Sequence, residues 1–402
     1  MTIDPTSPLG LMTAALRARQ SAVGSLPAPP FQRPGGADDD EWRAQIESAR
    51  DAHDRFALRS RQLADEVAVK LFGTRASSLP PLPVDAAPEA TTARRTVPVD
   101  TGVDLRTISP DPRKLQLPNG TPPPLSTPAI VDVPVTVYRG VADGSGPCII
   151  SMHGGAFWMG GGAVAQELGG PFSIWLARAL RATVIDVDYR LAPEHPYPAS
   201  IVDLLSVLDW VRTHSVELQV DPARIAVSGV SSGANAAAIA TVVEASRVID
   251  APPLAAQVLI VPSLNLADAT ADQRADTAAL TARRSQILGY LGEHVDPAHP
   301  MVSPVLGAPA SGLPATVVVT ADHDEIALGG AEWAELLRVS GTPVTHLHYP
   351  MTHTISTPDT AVRMTREMTA ALARCLRPRM PPASADGAAL VGSAPPGPLT
   401  DG

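Results

Sequence analysis

Three residues in this chain have the types and the order needed for nucleophilic catalysis. The first is Ser231, in the G-x-S-x-G run Gly229-Val230-Ser231-Ser232-Gly233. The apolar residues 225–227 precede it and an alanine-rich stretch follows from Ala234, which predicts a sharp turn from a buried strand into a helix. Such a turn strains the serine backbone and brings strand and helix so close that the flanking positions must be glycine. The helix start supplies N–H groups and a positive dipole end beneath the hydroxyl, which suits a developing negative charge. A serine at neutral pH also needs a base, and the base needs a partner to orient it. Asp324 and His353 follow in that order, each in a loop after a predicted strand, over 316–320 and 344–349. Parallel strands put these loops at one sheet edge, where His353 would take the Ser231 proton and Asp324 would hold the imidazole.

Other residues compete for each role. Asp322 and Glu325 flank the chosen acid, His346 and His348 fall inside the last strand as structural residues, and His323 is expected in solvent. Ser232 cannot replace Ser231 without losing the flanking-glycine pattern. Residues 153–160, HGGAFWMG, follow the apolar strand 148–152. Small residues there would let the N–H groups of Gly154, Gly155 or Ala156, with that of Ser232, reach an oxyanion. Trp158 is expected to line a substrate pocket, with plain packing as the alternative. No paired carboxylates and no histidine cluster at metal spacing occur, so no metal is predicted.

The surrounding pattern is that of an α/β protein. Valines alternate at 131, 133, 135 and 137, and 183–187 and 257–261 are further short apolar strands. Helical segments fall between them, including 203–214 and 331–337, which predicts a mostly parallel sheet covered on both faces. Residues 1–75 form an N-terminal helical segment: Asp38 to Glu41 suit a helix start, an apolar stripe runs from Trp42 to Leu71, and Gly73 suits the end. Residues 76–130, rich in proline, read as an irregular connector, and 131–377 as the catalytic domain. Within it, 262–313 is an insertion at the carboxyl end of a strand, where it can line or cover a pocket. The proline-, alanine- and glycine-rich tail 378–402 is expected to be disordered.

Composition narrows the partners. A net charge of −10 and a pI near 5.4 argue against nucleic acid or an anionic membrane as a main partner. Cys148 and Cys375 lack metal-ligand spacing and are expected as free thiols. With no basic-then-apolar leader and no apolar stretch of membrane-spanning length, the sequence reads as cytoplasmic.

HGGAFWMGG, DYRLAPEHPYPA, GVSSGAN, Ser303-Pro304, LPATVVVTADHD and YPMTH, in this order, resemble the hormone-sensitive-lipase-like, bacterial esterase branch of the α/β-hydrolase family. The resemblance spans residues 131–376. It implies an eight-stranded, mostly parallel sheet with helices on both faces, an N-terminal helical cap over the pocket, and cofactor-free hydrolysis of carboxylic esters. It also implies Ser231 as nucleophile, Asp324 as acid, His353 as base and Gly154, Gly155 and Ala156 at the oxyanion loop, and it is compatible with a homodimer. Four departures bear on substrate choice. Ala156 replaces the third glycine of H-G-G-G, and Val230 and Ser232 alter the usual G-D-S-A-G. Leu328-Gly329 stands where an acidic pair is usual. The loop before His353 is one residue short, with Thr354-Ile355 replacing glycine-phenylalanine.

The sequence thus points to a serine carboxylesterase acting on small to medium acyl esters through an acyl-enzyme, with a small-molecule ester as its partner. Two alternatives stay open at this level: a ligand-binding protein on the same scaffold, and a specialised dehydratase or acyl-transfer enzyme.

Overall fold

The alternating valines and the apolar runs become strands of one sheet in the computed structural model, which describes residues 3–20, 26–33, 38–101, 129–140, 144–268, 278–292, 295–308 and 310–378. The strands are β1 Ala90–Asp100, β2 Ile130–Gly140, β3 Gly146–Met152, β4 Thr183–Val187, β5 Val220–Val230, β6 Ala256–Ile260, β7 Ala315–His323 and β8 Val344–Thr352. Their spatial order is β1-β2-β4-β3-β5-β6-β7-β8. β2 runs antiparallel to both neighbours, and every other pairing is parallel. Among the described residues the helices are α1 Pro8–Gln20, α2 Asp39–Phe72, α3 Gly162–Leu180, α4 Ala199–Thr213, α5 Ser232–Ser246, α6 Ala278–Leu291, α7 Ala327–Val339 and α8 Pro358–Cys375.

Two apolar layers hold the sheet. Cys148, Ile150 and Met152 of β3 share a core with Leu204 and Leu208 of α4 and Ile239 of α5. Ile149, one position out of phase, belongs to the opposite layer with Trp175 of α3, Val258, Val317 and Met368 of α8. Burial on both faces explains why the central strands read as unbroken apolar runs. The helix ends follow their local signals. The Asp38 carboxylate accepts from Asp40 N at 2.8 Å, and Gly73 takes the left-handed conformation (φ 74°) while its N–H donates to Val69 O. Thr357 caps α8 ahead of Pro358.

The connector predicted over 76–130 needs correction. Residues 90–100 form β1, which pairs with β2 along its whole length, from Ala90 opposite Gly140 to Asp100 opposite Ile130. Pro98 conceals the strand in the sequence but is tolerated because β1 is an edge. Residues 102–128 of that connector, 269–277 of the insertion, and the tail from 379 lie outside the described residues.

In the N-terminal segment, Met12 and Leu16 of α1 pack on Leu63, Val67 and Ala68 of α2, and Ile355 from the loop after β8 packs against the same cluster. The insertion is anchored by α6, where Tyr290 stacks on Phe157 at 4.0 Å and its carbonyl accepts from Tyr197 N at 2.7 Å. Both cysteines are free thiols. Among the described residues no helix is long and apolar enough to cross a membrane.

Candidate active site

Ser231 lies between the end of β5 and the start of α5, with φ 54° and ψ −112°. A non-glycine residue seldom holds this conformation without support from its surroundings. Here the Ser231 N–H donates to Ile260 O at 2.9 Å, and its carbonyl accepts from Ala234 N at 3.1 Å and Asn235 N at 3.2 Å. The flanking glycines are required by space. A methyl at Gly229 would meet the Gly233 backbone, and one at Gly233 would meet the carbonyl oxygens of Met152 and His153. The strand-to-helix packing read from the sequence is therefore physical.

Ser231 Oγ stands 2.9 Å from His353 Nε2, and His353 Nδ1 stands 2.8 Å from Asp324 Oδ2. The three residues come from loops at the ends of β5, β8 and β7, which with β6 make up one side of the sheet. Asp324 directly follows β7; its side chain is 3% exposed, and Oδ1 accepts from Ile326 N at 3.1 Å. The shortened His353 loop closes without a glycine: Thr352 N donates to Ile355 O at 2.9 Å, and Ile355 N donates to Thr352 Oγ1 at 2.8 Å. A serine hydroxyl, an imidazole within reach of its proton and a buried carboxylate behind the imidazole are thus assembled, the arrangement that nucleophilic catalysis by serine requires.

The loop after β3 passes beside the serine. Gly154 packs so close that a Cβ there would lie 3.2 Å from Val230 O and 3.5 Å from Ser231 Cβ. Left-handed φ values follow at Gly155 (142°), Ala156 (49°) and Phe157 (72°). Ser232 opens α5, so its N–H has no acceptor within that helix. His153 is partly buried, and the loss of solvent around its ring lowers its pKa from the ordinary 6.5. Its Nδ1–H donates to Gly154 O at 2.8 Å, its ring stacks on Tyr189 at 4.3 Å, and Tyr189 Oη donates to His153 O at 2.8 Å.

A cavity of about 450 Å³ opens on this centre, lined by Ala156, Phe157, Ser231, Ile287, His353 and Arg283 among others. Arg283 and Ile287 come from α6, so the insertion does form a wall. Trp158 does not: it is wholly buried, with Phe31 and His53 edge-on to its ring at 5.3 and 4.9 Å. The expectation that Trp158 lines the pocket is corrected to packing, and Phe157 faces the cavity instead. Phe157 and Ile287 went unassigned in the sequence because the side each presents depends on the local backbone. The rivals are accounted for as well. Asp322 pairs with His348 at 2.5 Å, and His346 and His348 each lie 2.7 Å from Thr320 Oγ1. Glu325 is exposed, while His323 is half-buried rather than solvated. Ser232 is buried. Ser303 holds the insertion, accepting from Leu266 N at 2.7 Å and donating to Pro297 O at 2.6 Å.

A serine on a strained turn, bonded to an imidazole that is bonded to a buried carboxylate, defines the serine-hydrolase class. Residues 149–356 match the alpha/beta hydrolase fold family. The chain is 37% identical over 224 residues to carboxylesterase NlhH of Mycobacterium tuberculosis H37Rv, covering 54% of this chain and 68% of that one. It is 30% identical over 217 residues to an arylesterase of Saccharolobus solfataricus, covering 53% and 69%. Among solved structures, a bacterial heroin esterase superposes with a TM-score of 0.59 at 25% identity, over 91% of this chain and 98% of that one. The chain belongs to the α/β-hydrolase fold family, in the hormone-sensitive-lipase-like branch of serine ester hydrolases.

Proposed function

We propose that this protein hydrolyses small to medium acyl esters through a covalent acyl-enzyme, with Ser231 as nucleophile, His353 as base and Asp324 as the group that orients it. In this reading Ser231 Oγ attacks the ester carbonyl carbon as its proton passes to His353 Nε2. N–H groups of Gly154, Gly155, Ala156 and Ser232 receive the oxyanion. The tetrahedral adduct collapses, the alcohol leaves with the proton from His353, and the acyl group stays on Ser231. Water then attacks the acyl-enzyme with His353 again as base, releasing the acid and restoring the serine. Asp324 stabilises the imidazolium at each step, and no cofactor takes part.

The observation that carries this reading is the unbroken pair of contacts, 2.9 Å from Ser231 Oγ to His353 and 2.8 Å from His353 to Asp324, on the floor of a cavity. In the same proposal α1 and α2 cap the pocket and α6 shapes one wall. Its volume of about 450 Å³ suits a short or medium acyl chain. The two free thiols fit a reducing, cytoplasmic setting.

Hydrolysis of p-nitrophenyl esters of increasing acyl length, by the wild type and by Ser231→Ala and His353→Ala, tests the reading. Cleavage of short esters that both substitutions abolish supports it. A folded wild type that cleaves none of them and is not labelled by a fluorophosphonate removes it.

A further inference from the structure

Helix α2 stands outside the α/β body, yet it presents three polar side chains to the loop beside Ser231. Arg50, His53 and Asp54 follow the i, i+3, i+4 spacing of one helical face. Arg50 Nε donates to Trp158 O at 2.6 Å. Its two terminal nitrogens grip Glu194 at 2.9 and 2.7 Å, and one of them also donates to Ala192 O at 3.2 Å. Asp54 Oδ1 accepts from Gly160 N at 3.0 Å, and the His53 ring meets the Trp158 ring. The ion pair is largely enclosed, with Arg50 18% and Glu194 12% exposed.

The segment held in this way is the most contorted stretch described in the chain. Gly155, Ala156, Phe157, Gly160 and Gly162 all have left-handed φ values, and two of these residues carry side chains. Such conformations persist only where the surroundings over-determine them. The α/β body fixes the first half through Tyr189 and His153. It holds the middle where Ala192 N donates to Phe157 O at 3.0 Å and the far end where Gly162 N donates to Asp188 Oδ1 at 2.8 Å, and Arg50 closes the circuit by binding the Ala192 carbonyl. From Trp158 the restraint passes inward, because Trp158 N donates to Gly155 O at 3.0 Å and the next residue, Ala156, lines the cavity.

We infer that Arg50, with Glu194 and Asp54, is a positioning residue that holds the 153–162 loop in the conformation needed to receive the oxyanion; the inference rests on the ester-hydrolase reading. Arg50 touches no reacting atom. A planar guanidinium is required because its fork reaches a carboxylate and two carbonyls at once, which an ammonium cannot do. A displacement of about 1 Å at groups that stabilise a transition state can cost on the order of 10² in rate.

The test compares Arg50→Lys and the paired change Arg50→Met with Glu194→Leu, which leaves no buried charge unpaired, against wild type. Readouts are kcat and KM on p-nitrophenyl butyrate, the inhibition constant of an aryl trifluoromethyl ketone, whose adduct carries the oxyanion, and amide hydrogen exchange over 153–162. Expected in both variants are a fall in kcat of about 10–100-fold, KM within about threefold, ketone binding weakened in parallel with kcat, and faster exchange in 153–162 with 146–152 unchanged. An unaltered kcat in a folded variant overturns the inference. So does a loss of rate without weaker ketone binding, or unaltered exchange in the loop. A wild type inactive on every ester removes the proposed function instead, and loop exchange still decides whether Arg50 holds the loop.

Discussion

Asp324→Asn separates the proposed triad from its acidic neighbours. The carboxylate is 3% exposed and accepts on both oxygens, from His353 Nδ1 at 2.8 Å and from Ile326 N at 3.1 Å. Asparagine fits the same space, but one of its two positions must now be an NH₂. The backbone N–H of Ile326 requires an acceptor, so the amide nitrogen turns towards His353. The ring must then accept at Nδ1 and carry its proton on Nε2, the atom facing Ser231, and in that tautomer it cannot take the serine proton. Loss of a triad acid in this way typically costs about 10⁴ in kcat, or about 5 kcal/mol of barrier at 1.36 kcal/mol per tenfold. Initial rates on p-nitrophenyl acetate, with thermal unfolding alongside, should show that loss in a protein that still folds cooperatively. Asp322→Asn and Glu325→Gln should stay within about tenfold of wild type, since Asp322 is engaged with His348 and Glu325 is exposed. An Asp324→Asn enzyme retaining more than a tenth of wild-type kcat would refute the tautomer argument.

Two further outcomes concern the elements that support the site. Gly233→Ala puts a methyl against the Met152 and His153 carbonyl oxygens, which the rigid turn cannot relieve. A loss of roughly 1–3 kcal/mol is expected from overpacking, read as a lower denaturation midpoint together with lower esterase activity, and a wild-type midpoint would contradict it. Asp186, on β4, has its carboxyl pKa raised by burial from 3.8 to about 6, even though Ser173 Oγ donates to both oxygens at 2.9 Å. A raised acid pKa means the folded state binds the proton more tightly, so this contribution is full below about pH 3.8 and is lost as pH rises through 6. Asp186→Asn carries no such penalty, so its unfolding temperature should exceed that of wild type at pH 8, by about 1–3 kcal/mol in stability, and match it near pH 4. Equal gains at both pH values would show that the titration is not the cause.

The convergence of Ser231, Asp324 and His353 was legible because it depends on order along the chain. Ser231, Asp324 and His353 each follow a buried strand, and parallel strands force their ends to one edge. The glycines at 229 and 233 were legible for a related reason, since the close approach they permit is local. Strand β1 was hidden by Pro98 and by alanine and threonine with little alternation, and only its pairing with β2 defines it. Trp158 was misjudged for a different reason. Where a loop residue points is set by its φ and that of its neighbour, and the positive φ at Phe157 turns that ring towards the cavity while Trp158 goes beneath α2. Arg50 escaped notice because its partners Trp158 and Glu194 lie 108 and 144 positions away. A charged residue on a helix ordinarily reads as surface.

Ala156 connects the family departures to the N-terminal helix. The family places glycine there, the one residue that adopts a left-handed backbone without a steric penalty. This chain has alanine at the same kind of angle, φ 49°, and phenylalanine after it at 72°. Each side chain in that region costs about 1–2 kcal/mol relative to an ordinary backbone, so the loop would relax towards extended angles if nothing opposed it. The opposing restraint comes in part from the Arg50 fork and the Asp54 carboxylate on the far side of the loop. Losing the third glycine therefore does not abolish the loop geometry, but makes it depend more heavily on α2. In the proposed reading α2 does more than cover the pocket: it is part of what shapes the loop beside Ser231.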